Sequence, residues 1–348
     1  MNVIPDLAGA GAYMSHHSRS FRFATLALGA ESRGRIERVY AWCRHTDNLV
    51  DVPSMAATTS TDTIGVALDE WQRESRAAYD GAETGKPVLD AVMSDLRTSG
   101  GPFAYAEALV RGVRSDLRFR HFETMKDLRV YTHDVASVVG LWLCALHDIR
   151  DPWMLDRAAA LGHAMQLTNI LRDVGEDLQS DRVYLPLDLM RAHGVTMLDL
   201  HEMRAQRGPI SHGYRALMED LMQLAEADYR LAGEAIPYLP PEFARAVAVA
   251  AEVYADIHEA IRANGYDNLN RRARTTSSRK MALATRALWR LTRSASRSRT
   301  GQGAVHQQLP LHERKPSGAR IIAFRQLDHA VRPGSRRPVA RTATRIGP

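Results

Sequence analysis

Two stripes of polar and acidic side chains, each spaced for one face of an α-helix, constrain this chain more than any other feature of its sequence. The first lies in the stretch YAWCRHTDNLVD. Its members follow one another at intervals of four, three and four residues and are Tyr40, Arg44, Asp47 and Asp51. Residues at those intervals share one side of a helix. Two carboxylates one turn apart with an arginine before them are typical neither of a core nor of a surface, so the stripe predicts half of a binding site.

The second stripe lies in the stretch QLTNILRDVGEDLQSDRVYLP. Its intervals are three, four and four residues, and its members are Gln166, Asn169, Asp173 and Asp177. Arg172 and Glu176 flank this face, while apolar residues occupy the opposite side and are expected to be buried. The chain therefore carries two acidic helical faces, 122 residues apart between Asp51 and Asp173.

Together the two faces predict a site in which a cation holds a diphosphate. Carboxylates alone repel a diphosphate, but Mg²⁺ takes its oxygen ligands from one or two carboxylates, from water and from phosphates. Arg19, Arg44 and Arg172 would complete the clamp through bidentate hydrogen bonds. Either acidic pair taken alone is typical of a solvated helix surface, and it is the occurrence of both that favours a site.

Helical periodicity recurs along most of the chain and strand signals are scarce, which predicts an all-α protein. Residues 1–15 are expected to be a loose lead-in, and one helical domain is expected over residues 16–294. The predicted helices lie near 16–29, 32–51, 62–80, 87–98, 103–117, 125–146, 152–178, 212–235, 241–263 and 277–294. Small residues at Ala136, Ser137 and Gly140 permit either close helix packing or close approach of a ligand.

Composition excludes several classes of protein. The 348 residues are 45% hydrophobic and 25% charged, which is typical of a globular domain with a sizeable core. No apolar run is long enough for a transmembrane helix and no signal peptide is evident. Cys43 and Cys144 are the only cysteines. Two isolated cysteines form neither a disulfide framework nor a zinc site, which suggests the reducing cytoplasm.

The net charge of +6 is concentrated at the end of the chain. Residues 293–348 have 12 Lys and Arg against 2 Asp and Glu, a net charge of +10, whereas residues 1–292 have 34 against 38, a net charge of −4. Residues 295–348 are rich in Ser, Arg, Gly and Pro and are expected to be mostly disordered. Such a tail can bind anionic lipid or nucleic acid. Because aromatic residues are not interleaved with its basic ones, we expect no nucleic acid, and a solvated, nonspecific tail is the simpler interpretation.

These stretches resemble the head-to-head trans-isoprenyl diphosphate synthases, the family of the phytoene and squalene synthases. YAWCRHTDNLVD is similar to the first aspartate-rich motif of that family, and QLTNILRDVGEDLQSDRVYLP is similar to the second. SRSFRFA at 18–24 and YTHDVASVVG at 131–140 are similar to two further family segments. Tyr254, followed by a turn at Asn264–Tyr266 and by Arg271, resembles the C-terminal helix of the family and its basic residue. The resemblance covers about residues 15–290.

The resemblance implies an isoprenoid-synthase fold, a single helical domain around a central active-site cavity. It implies Mg²⁺, with Mn²⁺ as an alternative ion, held by Asp47, Asp51, Asp173 and Asp177 with help from Asn169. Catalytic roles are implied for the four aspartates and for Tyr40 and Arg44. The implied substrate-binding residues are Arg19, Ser20, Phe21, Tyr131, Gln166, Asn169, Arg172, Tyr254 and Arg271.

Three positions depart from the family pattern. Asn48 stands where many members have a second acidic residue, Ser137 replaces a glycine of the central segment, and Asp181 stands where glycine is common. None of the three removes a catalytic group. Ser137 and Asp181 could affect which substrate chain length fits.

The implied reaction joins two geranylgeranyl diphosphates into phytoene through a cyclopropyl diphosphate, in carotenoid biosynthesis and without NADPH. A hydrocarbon product implies a cytoplasmic protein with peripheral membrane contact. One alternative is a squalene- or dehydrosqualene-type synthase that uses two farnesyl diphosphates. Another alternative is a non-catalytic membrane-associated homologue. The presence of all four aspartates disfavours it. Substrate length stays open because the depth of the tunnel depends on packing.

Overall fold

The computed structural model describes residues 4–7, 9–56, 60–206 and 209–301, and within them it leaves undescribed the side chains of residues 17, 19–21, 52–56 and 294–301. The described residues form helices and contain no β-strand, which confirms the predicted all-α class. The α-helices are α1 Ala10–His17, α2 Arg19–Thr25, α3 Ala30–Ala56, α4 Thr61–Asp80, α5 Pro87–Thr98, α6 Ala104–Ser115, α7 Met125–Thr132, α8 Val138–Leu146, α9 Pro152–Asp177, α10 Leu187–Ala192, α11 Met197–Arg204, α12 His212–Gly233, α13 Pro241–Ala263 and α14 Ser277–Gly301. A π-helical turn, His133–Ser137, joins α7 to α8.

Three segments differ from the prediction. The expected loose lead-in contains α1, where Ala10 and Met14 are buried against α3, because a helix this short carries too few apolar residues to show a period. The short helices α10 and α11 were not predicted, although α11 begins at a capping box formed by Thr196 and Asp199. α14 continues past residue 294 to Gly301. The predicted disorder of residues 302–348 lies outside the described residues.

α9 is the helix on which most of the second half of the chain packs. Its neighbours include α8, α12, α13 and the π-helical turn. Leu167, Leu171 and Val174 lie in a large apolar cluster with residues of α12 and α13. The buried side of α9 thus faces these helices, as the apolar positions predicted, and its polar stripe faces elsewhere.

α3 is oriented by tryptophans. Trp42 is fully buried, 5.3 Å from Trp142 and 6.3 Å from Trp71 between ring centroids. Its indole N–H donates to Ser75 at 3.1 Å, and that of Trp71 donates to Thr46 at 2.9 Å. Because buried N–H groups need partners, these bonds fix the rotation of α3 about its axis and leave the acidic stripe on another side.

The small residues of the central segment serve helix packing. A Cβ atom on Gly162 of α9 would lie 2.5 Å from the Cα of Ser137, and one on Gly140 would lie 2.9 Å from the carbonyl oxygen of Ala158. The Ser137 hydroxyl donates to the carbonyl of Ala159 at 2.7 Å and the residue is buried. Of the two interpretations left open by the sequence, the contacts at Ser137 and Gly140 support close packing.

The loop after α13 is held against α9 near its acidic end. Asn268 is buried, donates to the carbonyl of Leu171 and accepts from the hydroxyl of Tyr214 at 2.6 Å. Gly175 donates its backbone N–H to the carbonyl of Asn268, and a Cβ there would lie 2.0 Å from the carbonyl oxygen of Leu269. Only glycine allows this approach, and it brings the following residues over the second acidic stripe.

Candidate functional site

The acidic stripe of α3 is accessible and only loosely paired with its arginine. The Arg44 guanidinium lies 3.9 Å from a carboxylate oxygen of Asp47 and 4.0 Å from one of Asp51. The two carboxylate side chains are 41% and 42% exposed. The stripe therefore keeps carboxylate oxygens available, as the spacing of its members predicted.

The acidic stripe of α9 is more strongly compensated. Arg172 and Arg272 both bind the carboxylate of Asp173, Arg172 through a bond of 2.8 Å and Arg272 through bonds of 2.9 and 3.1 Å. Arg272 also reaches Glu176 at 2.8 Å. Two guanidinium groups are thus placed beside one carboxylate, which is an arrangement suited to binding an anion next to a carboxylate site.

Arg182 connects the two acidic faces. It follows α9, yet its guanidinium lies 3.7 Å from Asp51 of α3 and 3.5 Å from the backbone carbonyl of Asp116. Its charge also acts on Asp177 of α9. The two stripes predicted to face each other are therefore brought into one electrostatic neighbourhood, with a cation between them.

Asp116 is a fifth aspartate in this neighbourhood. The hydroxyl of Tyr131 donates to one of its oxygens at 3.1 Å and the hydroxyl of Tyr184 donates to the other at 3.0 Å. The two tyrosine rings pack 5.4 Å apart, with Phe122 5.3 Å from Tyr131. Tyr131 is thus placed beside the acidic stripes, and it holds a carboxylate there.

Burial and mutual repulsion perturb these carboxyl groups. Burial, with Asp51 and Asp116 nearby, raises the pKa of Asp47 to about 7. Burial, with Asp173 and Glu176 nearby, raises the pKa of Asp177 to about 8. Asp47 is nevertheless 41% exposed. These two carboxyl groups therefore hold a proton more strongly than a free aspartate does, because burial and the neighbouring carboxylates disfavour the charged form.

The donor set fits Mg²⁺. Carboxylate oxygens are the ligands that Mg²⁺ prefers, and Asn169 adds an amide oxygen that is buried without a hydrogen-bond partner among the described residues. Among the residues that the structure describes, no three His, Cys, Asp or Glu side chains come together as a group that could hold a metal ion by itself. The acidic residues stand instead as pairs, which suits an ion that keeps some water and takes phosphate oxygens.

Aromatic side chains border the carboxylates. Tyr40 lies near enough to Arg44, Tyr254 and Asp47 for their charges to act on its hydroxyl, and burial raises its pKa. Tyr254 of α13 is buried, with a hydrogen bond to Ser18 and with Arg172 in its neighbourhood. Tyr40 and Tyr254 are therefore close to each other, with Arg44 near the first and Arg172 near the second.

Comparison with known proteins identifies the kind of site. The family model described as Squalene/phytoene synthase matches residues 14–279. The chain belongs to the squalene/phytoene synthase family. It is 37% identical over 272 residues to a phytoene synthase of Thermus thermophilus, covering 77% of this chain and 88% of that protein. It is 34% identical over 280 residues to a phytoene synthase of Arthrospira platensis, covering 77% and 87%.

Solved structures of the family share the fold. A dehydrosqualene synthase in complex with a ligand is 30% identical, with a TM-score of 0.73 over 83% of this chain and 97% of that chain. A squalene synthase from Alicyclobacillus acidocaldarius is 26% identical, with a TM-score of 0.65 over 75% and 95%. These matches confirm the predicted isoprenoid-synthase fold.

Arg271 is a predicted site residue that the structure does not bring to the acidic stripes. Its side chain is 73% exposed and lies 3.7 Å from Asp267. The next residue, Arg272, contacts Asp173 instead, at 2.9 Å. Adjacent arginines of one loop cannot be told apart from the sequence without the backbone conformation of that loop.

Five other predicted site residues lie on α9 and at the start of α2. Gln166 and Asn169 are neighbours on α9, with the amide of Asn169 donating to Gln166 at 3.4 Å. The backbone of Arg19, Ser20 and Phe21 forms the start of α2. Their side chains, and hence the roles predicted for them, lie outside the described residues.

The departures from the family pattern have local explanations. Asn48 is buried and donates to the hydroxyl of Tyr13 at 2.8 Å, where a carboxylate would be desolvated. Asp181 has φ of +53°, in the left-handed region that glycine prefers and that aspartate tolerates better than most residues. Ser137 is packed between helices, as described above.

Sequence reasoning did not name four residues that the structure brings beside the acidic stripes, namely Asp116, Arg182, Tyr184 and Arg272. Arg182 and Tyr184 belong to the RVYLP stretch, whose place directly after the second stripe was an available signal. Asp116 lies in a 3₁₀ turn after α6. No periodicity marks it, and only the tertiary fold brings it beside Asp47 and Asp51.

Proposed function

We propose that this protein is a phytoene synthase, which condenses two geranylgeranyl diphosphates head to head into phytoene. The observation that carries the proposal is the pair of facing carboxylate stripes on α3 and α9, joined through Arg182. The similarity to phytoene synthases at 34% and 37% identity supports the C20 substrate.

The carboxylates would hold the metal and the arginines would hold the diphosphate. Asp47, Asp51, Asp173 and Asp177 would offer oxygens for Mg²⁺ or Mn²⁺, with Asn169 as a neutral donor. Bound there, the ion would neutralise the diphosphate and stabilise the negative charge that develops as it leaves.

Arg172 and Arg272 already share the carboxylate of Asp173, and a diphosphate can accept bidentate hydrogen bonds from either guanidinium. Tyr40 and Tyr254 present aromatic surfaces beside this point, where the faces of their rings would stabilise an allylic cation. Tyr254 is buried and Tyr40 is half-buried, which limits the access of water to that cation. Phytoene formation requires no reductant, so no NADPH site is proposed.

A dehydrosqualene-type reaction with two farnesyl diphosphates is the second candidate. The ligand-bound dehydrosqualene synthase supports it through a TM-score of 0.73. The acidic stripes ionise a diphosphate in either case, so they do not distinguish C15 from C20 substrates. A non-catalytic role is disfavoured because all four aspartates of the two stripes are present.

Removing one carboxylate from each stripe tests the proposed metal site. Asp47→Ala and Asp173→Ala should each lower Mg²⁺-dependent turnover at least about a hundredfold, because charge stabilisation of the leaving diphosphate is lost. Asp80→Ala, at an exposed position of α4, is the matched control and should retain turnover. Wild-type activity in either site variant, with an unchanged circular dichroism spectrum, would contradict the two-stripe site.

We also propose a cytoplasmic protein that contacts the membrane peripherally. Among the helices that the structure describes, none is long and apolar enough to cross a bilayer. The support for membrane contact is the reaction itself, because a C40 hydrocarbon is insoluble in water and has to be released into lipid.

A further inference from the structure

A groove of about 440 Å³ lies between α12, α13, α14 and the 3₁₀ turn Ile236–Tyr238. Buried small residues, among them Ala248 and Ala287, form its base. Its edge carries exposed or half-exposed charged residues of both signs, namely Glu226, Arg230, Glu252 and Arg290. The groove is therefore apolar inside and charged at its margin.

α14 forms one margin of the groove and is a basic helix. Residues 277–298 include six Arg and Lys and no Asp or Glu. The helix buries Leu283 and Ala284, yet it exposes 57% of Met281 and 56% of Trp289. These two exposed residues are eight positions apart, about two turns, and so lie on the same side of the helix.

The basic side chains of α14 surround the exposed tryptophan. The Arg293 guanidinium stacks 4.2 Å from the ring centroid of Trp289. Arg286 and Arg290 are paired with Glu252, which neutralises one charge of the two, and they remain 44% and 60% exposed. The helix thus presents an apolar anchor within a net positive surface.

The opposite margin also has aromatic side chains. Tyr238 is 62% exposed and packs edge-on against Trp153, with ring centroids 5.7 Å apart. The Arg157 guanidinium lies 4.3 Å from the Trp153 ring, but it is only 16% exposed and is paired with Glu234 at 3.0 Å, so this margin contributes aromatic surface rather than net charge. Tryptophan and tyrosine beside basic residues are typical of surfaces that sit at the headgroup level of a bilayer.

The inner wall of the groove adjoins the reaction site. Tyr229 lines the groove, and its hydroxyl is 3.0 Å from the hydroxyl of Thr168 on α9. It is also close enough to Tyr254 and Arg172 for their charges to act on it. One layer of side chains therefore separates the groove from residues assigned above to substrate binding.

We propose that the surface formed by α14, the turn Ile236–Tyr238 and the groove between them docks onto an anionic lipid bilayer. Trp289 and Met281 enter the headgroup region, the arginines contact lipid phosphates, and the groove faces the acyl chains. A second copy of this chain is a poorer occupant, because a symmetric contact would place the basic helix against itself. The purpose of docking rests on the proposed hydrocarbon product, but docking itself needs no turnover.

Sedimentation of the full-length protein with vesicles tests this surface. We expect Trp289→Glu and Arg293→Glu each to weaken binding to phosphatidylcholine vesicles containing phosphatidylglycerol by about tenfold. Vesicles of phosphatidylcholine alone should bind all proteins weakly. The matched controls are Leu198→Glu, at an apolar residue 65% exposed on α11, and Arg73→Glu, at an exposed arginine of α4. Both controls should bind as the wild type does.

Three outcomes would overturn the proposal. Wild-type binding by Trp289→Glu would show that α14 does not bind the lipid. Residues 302–348, which are present in every variant, would then be the candidate for lipid binding. Equal losses in Leu198→Glu would show a general effect of charge. Loss of self-association in Trp289→Glu, with vesicle binding unchanged, would identify a second copy as the occupant. Because the assay contains no substrate, an inactive enzyme would leave its result readable.

Discussion

Arg272 is the basic residue of the loop after α13 that we expect to matter for the reaction. It binds Asp173 and Glu176, whereas Arg271 is exposed and pairs only loosely with Asp267. The two arginines are adjacent in sequence and identical in chemistry, so they form a matched pair in which position alone differs.

Arg272→Gln should lower turnover about a hundredfold, because one of the guanidinium groups that meets the leaving diphosphate is lost. Arg271→Gln should leave turnover nearly unchanged. Steady-state kinetics of both variants, with thermal midpoints as a check on folding, measure the difference. A larger loss in Arg271→Gln would return the role to the residue that the sequence resemblance indicated.

The acidic residues of the two stripes could be named from the sequence because a helix converts fixed spacing into a shared face. The residues that join the stripes could not. Asp116 and Arg182 lie outside the two helices, in a 3₁₀ turn and a loop, and their positions depend on how α6 and α9 pack. Spacing predicts neighbours within an element, but it carries no information about contacts between elements.

At the scale of elements, the close contact between α9 and the loop at Leu269 holds Arg272 in place. Gly175→Ala would place a methyl group 2.0 Å from the carbonyl oxygen of Leu269. We expect the free energy of unfolding to fall by about 1–3 kcal/mol, because a backbone atom cannot move aside cheaply. Denaturant titration measures this change, and turnover should fall with it.

Gly65→Ala is the control for that substitution. Gly65 lies inside α4, and a methyl group there would meet only the end of the Arg114 side chain at 3.8 Å. Alanine should stabilise this helix by about 0.5–1 kcal/mol. Equal effects of the two substitutions would show that the contact between α9 and the loop is not close-packed.

The interface of α7, α9 and α12 contains a histidine that makes stability depend on pH. His163 is buried beside Thr132, Arg129 and Asp228. Burial, with a contribution from Arg129, lowers its pKa to about 3. Because the unfolded chain takes up a proton below about pH 6.5 and the folded chain does not, stability should fall as pH decreases from about 6.5 towards 3.

His163→Asn should remove this part of the acid sensitivity. Between about pH 6.5 and pH 5 the wild type should lose about 2 kcal/mol more than the variant does. His45, whose pKa burial lowers to about 4, contributes a similar loss to both proteins. Urea titrations at the two pH values give the free energies of unfolding for the comparison. If the free energy of unfolding falls equally with pH in both proteins, His163 is protonated in the folded state.

At the scale of the whole molecule, the all-α class and the long helices α3, α9, α12 and α13 were predictable because each carries many apolar positions at a 3.6-residue period. Short helices such as α1, α10 and α11 were not, because their stability comes from the body on which they pack. The groove beside α14 was also invisible in the sequence. It arises from four elements that meet only in the folded protein.

The fold brings the acidic stripes of α3 and α9 into one neighbourhood, and the length of substrate that fits depends on the packing around them. We propose that this site condenses two C20 diphosphates. The most direct test supplies purified full-length protein with Mg²⁺ and either farnesyl or geranylgeranyl diphosphate and identifies the products by mass. We predict phytoene from the C20 substrate, and no turnover of either substrate by the folded protein, or a C30 product alone, would contradict the account.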